Sequence, residues 1–124
     1  MRIGELADKA GVTPRTIRYY ESLGLMGPSE RQGRGFRYYT EAELVRLRKI
    51  EVLKGLGLSL EEIRSVINLY FNDGMEIDAK QKVLSILISH LQETEEKIEA
   101  LQKFRVELQS NIAIVQQHIE QAQS

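Results

Sequence analysis

The sequence predicts a mainly α-helical protein in which a compact N-terminal domain, residues 1–75, is followed by one long helix within residues 76–124. Before residue 71, apolar residues recur at helical spacing in four short segments separated by turn residues. Between Asp78 and Ile119 there is no proline or glycine, and Asp78 with Gln81 suits a capped helix start. A helix of some forty residues would be about 60 Å long, too long to fold back on a small domain.

Charge is distributed unevenly along the chain. The net charge is -1 and the pI about 6.2, so the totals alone do not indicate a nucleic-acid partner. Residues 1–56, however, hold 11 Lys and Arg against 7 Asp and Glu, whereas residues 57–124 hold 6 against 11. A basic first half and an acidic second half are expected if only the first half meets a polyanion.

The first two helical segments have the spacing of a helix-turn-helix. Apolar residues from Ile3 to Ala10 predict a first helix, which Gly11 ends. Thr13 suits the N-cap of the next helix, and Pro14 suits its first turn. The connection between the two helices is therefore a short turn.

The second helix has one basic face and one apolar face. At about 100° per residue, Arg15, Arg18 and Tyr19 lie together, while Ile17 and Tyr20 turn away from them. A helix packed through Ile17 would present guanidinium groups on its other side. This pattern favours DNA binding, although a generic pair of packed helices would show some of it.

Residues 31–39 suit a small β-hairpin beside this helix. Gly33 and Gly35 suit a tight turn, and the aromatic residues that follow suit a strand. The same segment contains Arg31, Arg34 and Arg37. A basic, aromatic hairpin next to a helix-turn-helix makes the domain a winged helix-turn-helix.

Two capping boxes open the remaining helices of this domain. Thr40 with Glu43 and Ser59 with Glu62 each place a hydroxyl three residues before a glutamate. The apolar residues predicted to be buried in these helices are Leu44, Leu47, Ile50 and Leu53, then Leu60, Ile63, Val66, Ile67 and Tyr70.

The N-terminal domain contains five recognisable motifs, one after another along the chain. They are Ile3-Gly-Glu-Leu-Ala7, Thr16-Ile-Arg-Tyr-Tyr-Glu21, Gly24-Leu25, Gly35-Phe-Arg-Tyr-Tyr-Thr40 and Gly57-Leu-Ser-Leu-Glu-Glu62. Together they cover roughly residues 1–70 and resemble the MerR family of bacterial transcription regulators. The resemblance implies a homodimer whose two winged domains bind one pseudo-palindromic operator in double-stranded promoter DNA. It also implies that the protein bends and underwinds the promoter so that RNA polymerase can engage it.

The DNA contacts expected from the motifs and the resemblance lie on the second helix and the wing. They are Thr13, Arg15, Arg18, Tyr19, Tyr20, Arg31, Arg34, Phe36, Arg37 and Tyr39. Arg18 and the Tyr20 hydroxyl are expected on phosphates, and Arg15 or Thr13 at a base edge. The alternative for Tyr19 and Tyr20 is a place in the core, and for Arg31 and Arg34 it is a solvated charge.

The long helix carries a heptad of apolar residues that predicts a coiled coil. The seam consists of Leu84, Leu87, Leu91, Thr94, Ile98, Leu101, Arg105, Leu108, Ile112, Val115 and Ile119. Burial of one Leu or Ile is worth roughly 1.5 to 3 kcal/mol, so these side chains require a partner helix. The alternative is a single solvated helix.

The two polar seam positions favour an antiparallel pair. In a parallel dimer Arg105 would meet its own copy, a contact of like charges in a desolvated place. In an antiparallel pair centred between Glu99 and Ala100, Arg105 instead lies opposite Thr94 of the partner. The family resemblance also implies an antiparallel dimerisation helix.

Several site classes are missing from the sequence. The chain contains no cysteine, which excludes thiolate metal ligation, and His90 and His118 are isolated. We therefore expect no metal site, no cofactor and no thiol-based sensing of metals or oxidants, although metal- and redox-sensing family members use cysteines near the end of this helix. Because the sequence ends just past Ile119, we also expect no ligand loop and no effector domain.

No catalytic constellation or phosphate loop is present either, so an enzyme is not expected. No apolar run is long enough to cross a membrane and no signal peptide precedes the first helix, so we expect a cytoplasmic protein without a membrane partner. An effector would be a small organic molecule of unknown identity, if one exists.

Two other functions fit some of these features. One is an architectural, chromosome-organising DNA-binding protein that does not remodel promoters. The other is a coiled-coil interaction module whose helix-turn-helix binds protein.

Overall fold

The computed structural model describes the backbone of residues 1–27, 30–32 and 36–124, and the side chains of residues 1–27 and 38–124. This part of the chain divides into two compact units, residues 1–87 and residues 88–124. Its elements, in chain order, are α1 (Ile3–Ala10), α2 (Pro14–Ser22), β1 (Glu30–Gln32), β2 (Phe36–Tyr38), α3 (Glu41–Gly55), α4 (Leu60–Tyr70) and α5 (Glu76–Gln123).

The helix ends of the first unit follow the predicted signals. Gly11 ends α1 in the left-handed conformation, with φ 71°. Thr13 caps α2, because its hydroxyl oxygen accepts a hydrogen bond from the Thr16 N–H at 3.1 Å. Ser59 and Glu62 form the reciprocal capping box of α4, with bonds of 3.2 and 2.8 Å.

Thr40 begins α3 as predicted. The Glu43 carboxylate accepts hydrogen bonds from the Thr40 hydroxyl and, at 2.6 Å, from the Thr40 N–H. Partial burial acts to raise the pKa of Glu43, but the hydrogen bonds from Thr40 outweigh it and lower that pKa below the ordinary value. Glu43 therefore remains an anion that holds the start of α3.

The two strands pair antiparallel, with Glu30 opposite Tyr38 and Gln32 opposite Phe36. The chain after β2 is fixed to the first residue: the Tyr39 N–H donates to the Met1 carbonyl at 2.7 Å, and the Met1 amino group donates to the Tyr39 carbonyl at 2.6 Å. The predicted turn at residues 33–35 lies outside the described residues.

The core of the first unit is built from the apolar faces predicted for its helices. Leu6 of α1 and Ile17 of α2 are fully buried. The predicted residues of α3 and α4 that join them are Leu44, Leu47, Ile50, Leu53, Ile63, Val66 and Ile67. This packing leaves one side of α2 against the protein and the other side exposed.

Helix α5 begins at Glu76, so Asp78 lies inside its first turn and not at a cap. The capped start predicted at Asp78 was wrong, because the helix already includes Glu76 and Ile77 and neither residue breaks a helix. Ala79 and Val83 are buried in the first unit, and Lys82 donates to the Ser65 carbonyl at 3.0 Å. The predicted domain boundary at residue 75 falls where α5 starts, whereas the compact units divide at residue 87.

Three side chains join α2 to α3 through a polar contact, here called the Tyr20 triad. The buried Tyr20 hydroxyl donates to Glu51 Oε1 at 2.8 Å and accepts from Lys54 Nζ at 3.0 Å. Lys54 Nζ and Glu51 Oε2 lie 3.9 Å apart. Burial raises the pKa of Tyr20, and the hydrogen bond to Tyr20 raises the pKa of Lys54. The hydroxyl stays protonated and bridges the two charges.

The Tyr20 triad predicts a stability difference between adjacent tyrosines. Tyr20→Phe should lower the free energy of unfolding by about 1 kcal/mol, because it removes a bonded hydroxyl and leaves its partners without it. Tyr19→Phe is the matched control, since that side chain is 49% exposed. Urea denaturation at one fixed protein concentration measures both. Equal effects of the two variants would contradict a stabilising role for the triad.

Candidate DNA interface

The exposed face of α2 carries the cations that the sequence predicts there. Arg15, Arg18 and Tyr19 are all exposed, while Ile17 and Tyr20 are buried on the opposite side. A helix of nine residues therefore presents two guanidinium groups and one phenol together. This combination can bind phosphates and reach base edges in a groove.

Thr13 stands at the N-terminus of this face. Its hydroxyl lies 2.9 Å from the Thr16 hydroxyl, in addition to accepting the Thr16 N–H. The hydroxyl thus caps the N-terminus of α2. Thr13 is also exposed, so its side chain can be reached from outside. Its contact with a base edge stays a prediction.

The structure places Tyr20 and Tyr39 in the core, with 2% and 1% of their surface exposed. Tyr20 takes part in the Tyr20 triad, and the Tyr39 hydroxyl donates to Glu21 Oε1 at 3.0 Å. Each hydroxyl is bonded inside the protein, to Glu51 for Tyr20 and to Glu21 for Tyr39. The DNA contacts expected from both tyrosines stay predictions.

The structure describes the backbone of the two wing strands. Arg31 lies in β1, directly opposite Arg37 in β2, and Phe36 begins β2. The side chains of these residues lie outside the described part of the chain, as does Arg34 altogether. Their predicted DNA contacts therefore stay predictions.

Three cations that sequence reasoning did not select lie around α2. Lys54 belongs to the Tyr20 triad. Arg46 donates to the Leu25 carbonyl at 2.6 Å, and Arg64 donates to the Leu23 carbonyl at 3.4 Å. These bonds fix the segment that follows α2. No sequence signal could have identified them, because the partners lie 21 to 41 residues apart.

The predicted dimerisation residues of α5 are mostly exposed. Leu84, Leu91, Thr94, Ile98, Leu101, Arg105, Leu108, Ile112, Val115 and Ile119 all have exposed side chains. Leu87 differs, since it is half-buried and packs against the core of the first unit. An almost complete apolar stripe on α5 is thus open to water.

Other site types are not found among the described residues. In residues 1–27, 30–32 and 36–124 no group of three or more His, Cys, Asp or Glu side chains could hold a metal ion. Within the same part of the chain, no helix has the length and hydropathy needed to cross a membrane.

Comparison with known proteins relates this arrangement to one family. Residues 1–70 match the profile of the MerR HTH family of regulatory proteins, and residues 44–111 match the profile described as MerR, DNA binding. The HTH-type transcriptional regulator ZntR of Escherichia coli K12 is 44% identical over 108 residues, covering 87% of this chain and 75% of ZntR.

Two further proteins give the same result. An uncharacterized HTH-type transcriptional regulator of Pseudomonas aeruginosa, PA4778, is 40% identical over 109 residues, covering 88% of this chain and 80% of its own. The structure of the transcription regulator PbrR691 from Ralstonia metallidurans CH34, in complex with lead(II), superimposes with a TM-score of 0.75 at 31% identity. The match covers 88% of this chain and 84% of the PbrR691 chain. These relatives are transcription regulators, which are not enzymes. The chain belongs to the MerR family and is a DNA-binding transcription regulator.

Proposed function

We propose that two copies of this chain form a homodimer that binds one pseudo-palindromic operator and bends and underwinds the promoter for RNA polymerase. The observation that carries the proposal is that one chain exposes two surfaces, each of which suits a binding partner. One is the exposed cationic face of α2, which suits DNA, and the other is the exposed apolar stripe of α5, which suits a second copy. The similarity to transcription regulators does not favour the architectural alternative.

DNA binding is assigned to residues 1–75 and dimerisation to residues 76–124. Arg15 and Arg18 would contact DNA from α2, with Arg31, Arg34 and Arg37 in the wing. Since the target is promoter DNA in a bacterial cell, we place the protein in the cytoplasm.

The exposure of α5 supports dimerisation. Leu91, Leu101 and Ile112 are 57%, 66% and 55% exposed. Beyond Leu87 the helix would extend about 54 Å, and the side chains of residues 91–124 are all exposed. Burial of each of these side chains by a partner helix is worth roughly 1.5 to 3 kcal/mol, so self-association is strongly favoured.

The polar seam residues suggest the register. The Thr94 hydroxyl donates to the His90 carbonyl of its own helix at 2.8 Å, which leaves its oxygen able to accept a further hydrogen bond. In an antiparallel pair centred between Glu99 and Ala100, the Arg105 guanidinium of the partner copy would supply that bond.

Disulfide crosslinking tests this register. A mixture of Thr94→Cys and Arg105→Cys chains should form crosslinked heterodimers efficiently, since the two positions face each other and the natural chain has no cysteine. Non-reducing gel electrophoresis after mild oxidation measures the yield. Efficient self-crosslinking of Arg105→Cys, with none between the two sites, would instead indicate a parallel pair.

The DNA contact of α2 is tested by its salt dependence. Each phosphate neutralised contributes about -0.9 to the slope of log affinity against log salt, so Arg18→Ala should make the slope less steep by about that amount for each subunit that loses its contact. Lys80→Ala is the control, since Lys80 pairs with Glu76 on the surface of α5 at 3.5 Å. Fluorescence anisotropy over a salt series measures both. An unchanged slope for Arg18→Ala would remove that residue from the interface.

Promoter remodelling is tested by transcription in vitro. A bound promoter with a lengthened spacer should be activated by the protein, because underwinding would bring both promoter elements within reach of RNA polymerase. The same promoter with its spacer shortened to ordinary length should be repressed or unaffected. Tight binding without any spacer-dependent change in transcript would favour the architectural function.

A further inference from the structure

The first unit contains a surface groove of about 470 Å³, and none of its lining residues is among those assigned above to DNA binding or dimerisation. It lies between the segment after α2, the start of α3 and the end of α4. Its lining residues are Gly24, Gly27, Ala42, Glu43, Arg46, Asn68 and Phe71, and we call it the Arg46 groove. Small-molecule sites typically occupy about 300 to 1,000 Å³, with mainly apolar walls and few polar groups.

The apolar wall of the groove contains an aromatic ring. Phe71 is 42% exposed, although it directly follows α4 and has a large apolar surface. Its ring centroid lies 5.7 Å from the Arg46 guanidinium carbon. A planar ring that enters the groove could stack on Phe71 and cover this surface.

Arg46 provides the polar end of the groove. Its guanidinium donates to the Leu25 carbonyl at 2.6 Å and to Asn68 Oδ1 at 2.9 Å. Both acceptors are neutral, and among the residues that the structure describes no carboxylate forms an ion pair with Arg46. Burial lowers its pKa, so the cation has lost part of its hydration. An incoming carboxylate would replace that hydration with a charge-assisted hydrogen bond.

Glu43 is the other charged residue of the lining, and it decides where a ligand can place its charge. Its carboxylate is bonded to Thr40 at the start of α3. An anionic ligand must therefore place its carboxylate on Arg46 and avoid Glu43, which precedes Arg46 by three residues on α3. A cationic ligand would have to displace the bonds from Thr40 to gain Glu43.

We propose that the Arg46 groove binds a planar aromatic carboxylate, with its ring on Phe71 and its carboxylate on the Arg46 guanidinium. The ligand acts on DNA binding through Leu25, which lies three residues after the end of α2 and whose carbonyl accepts a hydrogen bond from Arg46. This second step rests on the proposed function, whereas the binding site itself does not.

Binding is tested with 2-naphthoate on the full chain labelled with 15N. The backbone amide signals of Gly24, Gly27 and Ala42 should shift on titration. Neutral 2-naphthalenemethanol and cationic 2-naphthylmethylammonium, which share the ring, should bind at least tenfold more weakly. Equal binding of the cation, or shifts confined to the apolar stripe of α5, would overturn the proposal.

A pair of variants at Ala42 locates the site. Ala42 is exposed on α3, so Ala42→Leu should fill the groove and lower the affinity for 2-naphthoate at least tenfold, while Ala42→Ser should leave it unchanged. Sedimentation should show the same self-association for both. If Ala42→Leu weakens self-association instead, the groove is a contact with the second copy and the proposal fails.

The effect of 2-naphthoate on DNA affinity is measured with the natural chain and the same two Ala42 variants. Saturating 2-naphthoate should change DNA affinity at least threefold in the natural chain and in Ala42→Ser, but not in Ala42→Leu. Binding of 2-naphthoate without any change in DNA affinity would refute the coupling through Leu25. Failure to bind DNA at all would refute the proposed function, which the titration without DNA does not depend on.

Discussion

The exposed apolar stripe of α5 is the constraint on which the function of this chain depends. An isolated helix that keeps Leu, Ile and Val in water along most of its length loses the main source of helix stability in proteins, which is packing of the apolar face. A second copy can cover the stripe through the same residues. The dimer that follows would also place two DNA-binding domains in one molecule, so binding of one domain would raise the effective concentration of the other.

The DNA-binding surface depends on how α2 is held from behind. Ile17 is fully buried, and the Tyr20 triad adds charged partners from α3 at 2.8 and 3.0 Å. Because the inner side of α2 is fixed by both apolar and polar contacts, Arg15 and Arg18 can be held outward without ion pairs to other described side chains. Their side chains are then available for phosphates.

Much of this fold could be predicted from local sequence signals. Gly11, the Thr13 cap and the Ser59 capping box act within a few residues, and the apolar spacing of α3 and α4 gives their buried faces directly. The polar contacts could not be predicted. Tyr20 shows the reason, because its pattern suits both a phosphate contact and a core residue, and the partners of its hydroxyl, Glu51 and Lys54, lie 31 and 34 residues away.

Helix α3 contacts both α2 and the segment that follows α2. Arg46, near its start, bonds to the segment after α2, while Glu51 and Lys54, near its end, bond to α2 itself. Its middle is packed into the core through Leu47 and Ile50, so α3 cannot deform locally without cost. A displacement of Arg46 would therefore reach α2 along two routes: directly through Leu25, and through a small rigid shift of α3 that moves the Tyr20 triad. The two routes act on the same helix, which makes the start of α3 the position from which a bound molecule could most directly alter the presentation of Arg15 and Arg18.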